Sequence, residues 1–363
     1  MRKIATGDAA RKPDKPVKWL LGRQLLRSMK GILLYTAYGK QLDPRDWMRP
    51  EVFPKPAEHG QFEFWREQQL KRAPLEEKRK EEIRNRSDED YWREKGEFWF
   101  DYISDTGDGT LATYSIAYLC LSDLYVPQAA SAGDEIKTCS KKEEIKTAVS
   151  LLPRGEFLLV GGDAAYHVSD YMTLANRVQR PFEWAYSDVA DERRESNPDA
   201  KPEQEPNRPI FGIPGNHDYY DQLNGFRRQF HIPVRKELEY GFYHETKKPE
   251  ELAERPHLYL PGFNRHQQAS YVALRLPFDW RLWGLDTEVG QIDERQRNFF
   301  RKLCEVGEKV ILPKKLIVAT CAPTTAFGRL ASPDDKKSAG AFEQLGLTQL
   351  FLPEKREDGK YEE

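Results

Sequence analysis

Three consecutive polar residues, Asn216, His217 and Asp218, lie in the segment IPGNHDYYD and combine an amide, an imidazole and a carboxylate. Two further aspartates, Asp105 and Asp163, follow apolar runs earlier in the chain. Carboxylate and amide oxygens with an occasional imidazole suit ions such as Mn²⁺, Fe or Zn²⁺. A carboxylate that bridges two such ions lets them clamp a phosphoryl group during in-line displacement. These residue types therefore favour a two-metal phosphoester hydrolase.

Apolar runs that end in small or polar residues predict the strands that position these side chains. The runs at 97–104, 155–162 and 208–215 each lead through a polar loop into a helical pattern. This repeated order predicts an α/β fold. Ligands bind beyond the carboxyl ends of the strands in such sheets, so we expect the polar residues to meet at one edge. Taken singly, each of them could instead cap a helix or hold a turn.

Later segments extend the predicted α/β domain, which covers residues 97–363. A charged, proline-containing stretch at 188–209 predicts a surface insertion or flexible loop within it. The other predicted elements are a β-hairpin at 269–276 and 279–287, a helix at 293–307 and a strand at 314–320.

Residues 1–96 are predicted to form a basic and charged, largely helical N-terminal extension. The first 50 residues contain twelve Lys or Arg against four Asp or Glu. Segment 18–38 mixes this charge with Leu, Ile and Trp in a roughly helical pattern. Such a helix either lies on an anionic membrane surface or packs on the domain with its basic face in water, and we favour the packed helix. Segment 63–97, rich in Glu, Lys and Arg, predicts a solvated helical connector.

The composition argues against several functional classes. A net charge of −2 gives no electrostatic argument for binding nucleic acid, so no sequence-specific nucleic acid partner is expected. The sequence contains no apolar stretch of about 18 residues, so we predict no membrane span. The four cysteines lie far apart and form no CxxC pair, which predicts a reduced, cytoplasmic setting.

The motifs DTG (105–107), GDAAY (162–166) and GNHD (215–218), in this order, resemble those of the calcineurin-like metallophosphoesterases. The DxG and GDxxY forms are similar to the purple acid phosphatase branch, and the flanking sequence most resembles a group of large bacterial members. The resemblance covers about residues 97–325. It implies two packed mixed β-sheets flanked by helices, an α/β/β/α sandwich.

The resemblance also implies a ligand set for two metal ions, with Mn, Fe or Zn as the candidates. By this resemblance Asp105 binds the first ion, Asp163 bridges both ions and Asn216 binds the second. Tyr166 matches the metal-binding tyrosine of GDxxY, although a tyrosine after a strand is more often a packing residue.

The reaction implied by the resemblance is hydrolysis of a phosphomonoester or phosphodiester by a hydroxide that bridges the two metal ions. His217 then stabilises the phosphoryl transition state or protonates the leaving oxygen, and Asp218 orients its imidazole. Asp108 either compensates for the histidine that DTG lacks or serves the turn. His167 is expected to be an exposed loop residue.

Two features depart from the family pattern. Cys321 of VATC stands where the family has the histidine of VxxH; a thiolate can ligate zinc, but a lone cysteine at a strand end is more often a small buried hydrophobe. No GHxH motif follows residue 325. We therefore expect either that the chain is a piece of a longer protein or that its metal site is incomplete. The alternative function is a catalytically incomplete scaffold that binds a partner or, through residues 1–50, a membrane surface.

Overall fold

Two β-sheets with flanking helices make up most of the described part of the computed structural model, so the fold class is α/β, as predicted. The structure describes residues 11–18, 23–38, 43–47, 62–72, 75–127, 149–196, 208–231, 258–288, 292–306 and 309–321.

The helices are α1 (Arg23–Tyr38), α2 (Phe62–Arg72), α3 (Glu77–Arg84), α4 (Asp88–Lys95), α5 (Thr110–Cys120), α6 (Tyr171–Leu174), α7 (Arg180–Ser196), α8 (Asn216–Tyr219), α9 (Asn224–Phe230) and α10 (Glu294–Cys304). The strands are β1 (Asp101–Ile103), β2 (Leu124–Pro127), β3 (Val149–Leu152), β4 (Leu158–Val160), β5 (Arg208–Gly212), β6 (Phe263–Arg265), β7 (Val272–Arg275), β8 (Trp280–Leu285), β9 (Glu305–Val306), β10 (Lys309–Val310) and β11 (Lys315–Thr320). A 3-10 turn covers Pro44–Trp47, and π-helical turns at Ala175–Gln179 join α6 to α7.

The first sheet has the order β1-β4-β5-β6, and all its pairings are parallel. Its register aligns Ile103 with Val160 and Val160 with Gly212, so three strands end at the same level. Strand β4 is buried along its whole length, as expected for a parallel strand covered on both faces. The loops that follow β1, β4 and β5 therefore emerge at one edge, and the expected meeting of the motif residues is confirmed.

The second sheet has the order β11-β8-β7. Strands β7 and β8 are antiparallel, which confirms the predicted hairpin. Strands β8 and β11 are parallel, with Thr320 opposite Leu285. This pairing places Cys321 beside the segment that follows β8, at the end of the second sheet.

Alternate residues along the strands enter different apolar clusters. Leu158 of β4 faces a cluster formed largely by α5, α6, α7 and α9. Phe157 and Leu159 lie on the other face and share a cluster with Val272 and Leu282 of the second sheet. The second sheet packs on α10 with its remaining face. The two sheets thus contact each other through one face each and helices through the other.

Helices α2 and α4 belong to the core, although their sequence is dominated by charge. Trp65 is fully buried, Trp92 is 2% exposed, and both share the cluster between the sheets. The Trp65 ring lies 5.2 Å from that of Phe157, and its Nε1 donates to the Arg275 carbonyl at 2.8 Å. The prediction of a solvated connector over 63–97 is therefore wrong for these helices. Many of their charged residues face water, although Arg66 is buried and pairs with Asp88 at 2.7 Å, and the few aromatic residues pack against the sheets.

Much of the predicted surface insertion at 188–209 is regular structure. Helix α7 continues to Ser196, and β5 begins at Arg208, so only residues 197–207 lie outside the described chain. Asp188 of α7 accepts hydrogen bonds from Arg11 and Tyr114, both at 2.7 Å. The charge of residues 188–196 therefore belongs to a packed helix rather than to a loop.

The N-terminal residues pack on the α/β domain. Val17 N donates to the Asp108 carbonyl at 3.0 Å, and the Tyr35 ring of α1 lies 5.9 Å from that of Tyr219. Helix α1 therefore packs on the domain, which is the alternative that the sequence analysis favours for segment 18–38. In the part of the chain that the structure describes, none of the helices combines the length and the apolar character needed to cross a membrane.

Candidate metal centre

Two aspartates at the carboxyl edge of the first sheet adopt left-handed backbone conformations. The φ angle is 54° at Asp105 and 49° at Asp163. Few residues other than glycine adopt this region, and aspartate is among the more tolerant ones. Asp105 N donates to the Gly162 carbonyl at 3.2 Å, which ties the two loops together. Backbone strain of this kind clusters at functional sites.

Three oxygen-bearing side chains come together between these loops. Tyr166 Oη donates to Asp105 Oδ1 at 2.6 Å and to Asp163 Oδ2 at 3.4 Å. Burial and the two carboxylates raise the pKa of Tyr166 above its ordinary value. Burial also raises the pKa of Asp163. The hydrogen bond from the backbone N–H of His217 acts in the opposite direction but is the smaller effect. A cation bound among these groups would favour their charged forms.

The GNHD turn closes on Asp163. A side-chain carbon added at Gly215 would overlap Asp163 Oδ1, so only glycine lets the turn approach this closely. His217 N donates to the same oxygen at 3.0 Å. One oxygen of Asp163 thus faces the GNHD turn and the other faces Tyr166 and Asp105. A carboxylate that bridges two ions needs this intermediate position.

The imidazole of His217 is oriented by a backbone carbonyl. Its Nδ1 lies 2.6 Å from the His167 carbonyl oxygen, which can only accept, so Nδ1 carries a proton. The ring also packs edge-on against Tyr166 at 4.5 Å. His167 itself is 4% exposed, and its Nε2 lies 3.3 Å from the Lys18 carbonyl. The expectation of an exposed loop residue is therefore wrong, because the N-terminal segment covers His167.

Asp218 has a different role from the expected one. Its Oδ2 accepts from Asp163 N at 2.8 Å and from Gly215 N at 2.9 Å, and Oδ1 lies 3.4 Å from Ala164 N. Burial raises the pKa of this 1% exposed carboxyl to about 6, although the Gly215 N–H opposes the shift. Asp218 therefore fixes the two loops to each other, and the orienting role belongs to the His167 carbonyl.

The amide of Asn216 is held by an aromatic residue of the same turn. Asn216 Nδ2 donates to Tyr220 Oη at 2.7 Å, so the amide nitrogen is engaged and Oδ1 is the atom with ligand chemistry. The Tyr220 ring packs edge-on against both His217, at 5.1 Å, and Tyr35 of α1, at 5.6 Å. Helix α1 therefore forms part of the wall behind the GNHD turn.

Cys321 lies next to the loops of the site, where its Cβ would be 3.5 Å from a side-chain carbon added at Gly162. Its Sγ is 3.3 Å from Thr287 Oγ1 and donates to Glu288 Oε2 at 3.9 Å. Burial raises the pKa of the Cys321 thiol to about 12, so it is protonated at neutral pH. Burial and the Asp163 charge raise the pKa of Glu288 to about 7. Cys321 is half-buried and its thiol has polar partners, so it is not the small buried hydrophobe of the more ordinary alternative.

Oxygen atoms predominate among the possible metal ligands of the site. The described ranges contain no group of three His, Cys, Asp or Glu side chains arranged to hold one. The oxygens gathered here come instead from two aspartates, a tyrosine and an asparagine, all ligand types for hard cations. Asp108 Oδ1 is buried and has no hydrogen-bond partner among the described residues, while the Asp108 backbone carbonyl accepts from Val17 and Arg177. These residues fit an oxygen-ligated cation, and the described part of the chain supplies fewer ligands than two ions need.

Several residues of the site were not found from the sequence. Tyr102 lies over Gly161, where an added side-chain carbon would overlap its Oη, and the pair of glycines before Asp163 is the signal of such an approach. Tyr35 and Glu288 carry no sequence signal, because only the fold brings them to the GNHD turn and to Asp163.

Comparisons with protein-family models, with curated proteins and with solved structures found no match to this chain.

Proposed function

We propose that this chain is a calcineurin-like metallophosphoesterase domain that hydrolyses a phosphomonoester or phosphodiester with two divalent or trivalent metal ions. The observation that carries the proposal is the convergence of Asp105, Tyr166 and Asp163 at the edge where the GNHD turn also lies. The contact between the two sheets supports the finer proposal of an α/β/β/α sandwich.

The chain's own residues divide into ligands and supports. Asp105, Asp163, Asn216 and Tyr166 would hold the ions, with Asp163 between them. Bound ions of this class supply Lewis acidity toward the phosphoryl oxygens and an activated water at neutral pH. Asp218 keeps the two loops at a fixed separation through backbone N–H groups, which preserves the distance between the ligands.

His217 is the residue that handles the proton. Its Nδ1–H is fixed by the His167 carbonyl, so Nε2 is the nitrogen that exchanges a proton with substrate. In the imidazolium form, Nε2–H donates to a phosphoryl oxygen or protonates the leaving oxygen. We further propose a reducing, cytoplasmic setting, which agrees with the lack of a disulfide among Cys120, Cys304 and Cys321.

Metal content and activity together test this function. The purified chain is dialysed against Mn²⁺ and analysed for bound metal, and hydrolysis of p-nitrophenyl phosphate and its bis ester is measured. We expect two bound ions in the wild type and a loss of at least about a hundredfold in activity, with loss of metal, in Asp163→Asn. The surface variant Asp191→Asn is the control and should match the wild type. Equal metal content in Asp163→Asn and wild type would refute the ligand assignment.

A second candidate function is favoured by the outer face of α1. Large apolar side chains are exposed along it, including Leu26 at 68% and Leu33 at 61%. The helix contains no acidic residue, and Lys30 is exposed on it. Exposed leucines beside basic residues suit an anionic membrane surface.

Vesicle cosedimentation distinguishes this second function. We expect the full chain to bind phosphatidylcholine vesicles that contain phosphatidylserine, and binding to fall several-fold in Leu33→Gln. Leu111→Gln, which changes an exposed leucine of α5, should bind as the wild type does. Failure to bind any vesicle would exclude the membrane function and leave the hydrolase proposal intact.

A further inference from the structure

A cavity of about 500 Å³ lies at the opposite edge of the first sheet from the candidate metal centre. Its lining comes from α2, α3, α4 and the turns between them on one side, and from Asp123, the segment that precedes β4 and the first residue of β5 on the other. This volume lies within the range of small-molecule sites, about 300–1,000 Å³. At about 3.3 Å per residue, the length of β5 alone puts Arg208 about 13 Å from Gly212 at the other edge. The cavity is therefore separate from the residues assigned to metal binding.

The cavity is lined by more cations than carboxylates. Five basic residues line it, against three acidic ones, Glu94, Asp123 and Glu156. Each carboxylate already has a partner: Glu94 pairs with Arg86, Asp123 accepts from Arg154 N at 2.8 Å, and Glu156 accepts from Gln69 at 2.6 Å. The acidic residues are thus engaged, and the excess charge of the lining is positive.

Arg208 is the residue that points to a ligand. Its Nε and Nη1 are buried and have no hydrogen-bond partner within the described ranges. Buried guanidinium nitrogens in folded proteins normally have a partner, since leaving them unpaired is unfavourable. Arg208 N donates to the Gly262 carbonyl at 2.9 Å, and Arg154 Nη2 would lie 3.3 Å from a side-chain carbon at Gly262. Both arginines therefore lie beside Gly262, and both line the cavity.

We propose that this cavity is a second binding site, which takes a small organic molecule through an oxyanion held by Arg208. The fork of guanidinium N–H groups matches a phosphate or carboxylate group, which accepts two parallel hydrogen bonds. Leu70, Leu75 and Ile83 supply an apolar wall for the rest of the molecule. The site lies at the amino ends of the strands, away from the edge where catalysis is proposed, so its ligand is an effector rather than a substrate.

The test uses the full chain after its metals have been chelated and the chelator dialysed away, so that anion binding at the metal centre does not contribute. Inorganic pyrophosphate and citrate are titrated separately by calorimetry at low salt, which distinguishes a phosphate site from a carboxylate site. We expect one of the two probes to bind, with at least tenfold weaker binding in Arg208→Gln. Arg208→Lys keeps the charge but not the fork and should be intermediate. The matched control Arg84→Gln, on α3 but outside the lining, should bind as the wild type does.

Thermal unfolding provides a second readout that does not depend on affinity alone. Removing an unpaired buried charge should raise the Tm of Arg208→Gln above that of wild type without anion, and the ranking should reverse when the bound probe is saturating. No binding of either probe, or equal binding by wild type and Arg208→Gln, would overturn the proposal. Because no metal is present, either result is independent of the phosphoesterase assignment.

Discussion

The two edges of the parallel sheet present opposite chemistry on the same strands. At the carboxyl ends, Asp105, Asp163 and Tyr166 gather oxygen atoms that suit a cation. At the amino ends, Arg154 and Arg208 line a cavity in which basic residues outnumber acidic ones. Strands β4 and β5 connect the two edges and are buried almost completely. The sheet therefore acts as a spacer, and the loops at each end determine which ions can bind there.

The two edges also differ in the elements that cover them. The largest effect on stability is expected from a substitution in the helices at the amino edge. Helices α2 and α4 cover the amino edge, and Trp65 of α2 is fully buried. We expect Trp65→Ala to lower the free energy of unfolding by about 3–5 kcal/mol, because it leaves a cavity among aromatic rings. Guanidinium denaturation measures this loss. Trp99→Ala, at a 38% exposed residue, should cost less than about 1 kcal/mol. Similar costs for the two variants would mean that the helices do not belong to the core.

The carboxyl edge is expected to depend on close backbone packing. A side-chain carbon at Gly215 would overlap Asp163, so Gly215→Ala should lower the free energy of unfolding by about 3 kcal/mol and abolish metal retention. Urea denaturation and elemental analysis measure the two effects. Gly109→Ala is the control, since the nearest atom to its added carbon is 3.7 Å away. A Gly215→Ala protein that keeps its metal would show that the turn can move away from Asp163.

The pH dependence of stability tests the amino edge separately, because an acidic residue, Asp101, is partly buried there. Asp101 Oδ2 accepts from Gly155 N at 3.1 Å, and burial raises the pKa of this carboxyl to about 6. The folded state thus holds the proton more tightly than the unfolded state, whose pKa is about 3.9. Stability contributed by this group is complete below about pH 4 and is lost as pH rises to about 6, a decrease of about 2 kcal/mol.

The variant Asp101→Asn removes this titration while keeping an oxygen for Gly155. We expect the stability of Asp101→Asn relative to wild type to rise between pH 4 and pH 6 and then to stay constant. Unfolding free energies from urea titrations at pH 4, 5, 6 and 7 measure the difference. Asp191→Asn, at an exposed position of α7, should follow the wild type throughout. A constant difference between Asp101→Asn and wild type would show that burial does not perturb Asp101.

The smallest expected effect concerns the support of a single ligand at the carboxyl edge. Tyr220→Phe removes the hydroxyl that accepts from Asn216 Nδ2. The loss should be about 1 kcal/mol in stability and about tenfold in affinity for Mn²⁺, because the amide is no longer held. Calorimetric titration with Mn²⁺ measures the affinity, and Tyr38→Phe on the exposed end of α1 is the control. Unchanged affinity in Tyr220→Phe would remove Asn216 from the ligand set.

The sequence predicted the parts of the fold that rest on local patterns. Apolar runs before Asp105, Asp163 and Asn216 are the strands β1, β4 and β5, and their shared edge followed from parallel pairing. The prediction failed where a few apolar residues lie among many charges, as with Trp65 in α2. Averaged composition hides such residues, because one tryptophan buries a large apolar area but hardly changes the mean character of a charged segment.

The site could be predicted as a set of residues but not as a set of contacts. The motifs identified Asp218, yet its bonds to Gly215 and Asp163 depend on how two loops meet. The burial of His167 depends on the N-terminal segment, which is about 150 residues away in sequence and reaches it through the Lys18 carbonyl. Contacts at this separation leave no periodic pattern in a single sequence.

The packing of α2 and α4 has a practical consequence for recombinant fragments. The change in composition near residue 97 suggests a natural starting point for a shortened protein. Such a fragment would lack Trp65 and Trp92 and would leave the rings of Phe98 and Phe157 uncovered. A newly exposed aromatic surface of this kind promotes self-association. Expression trials should therefore keep the chain from α2 onward.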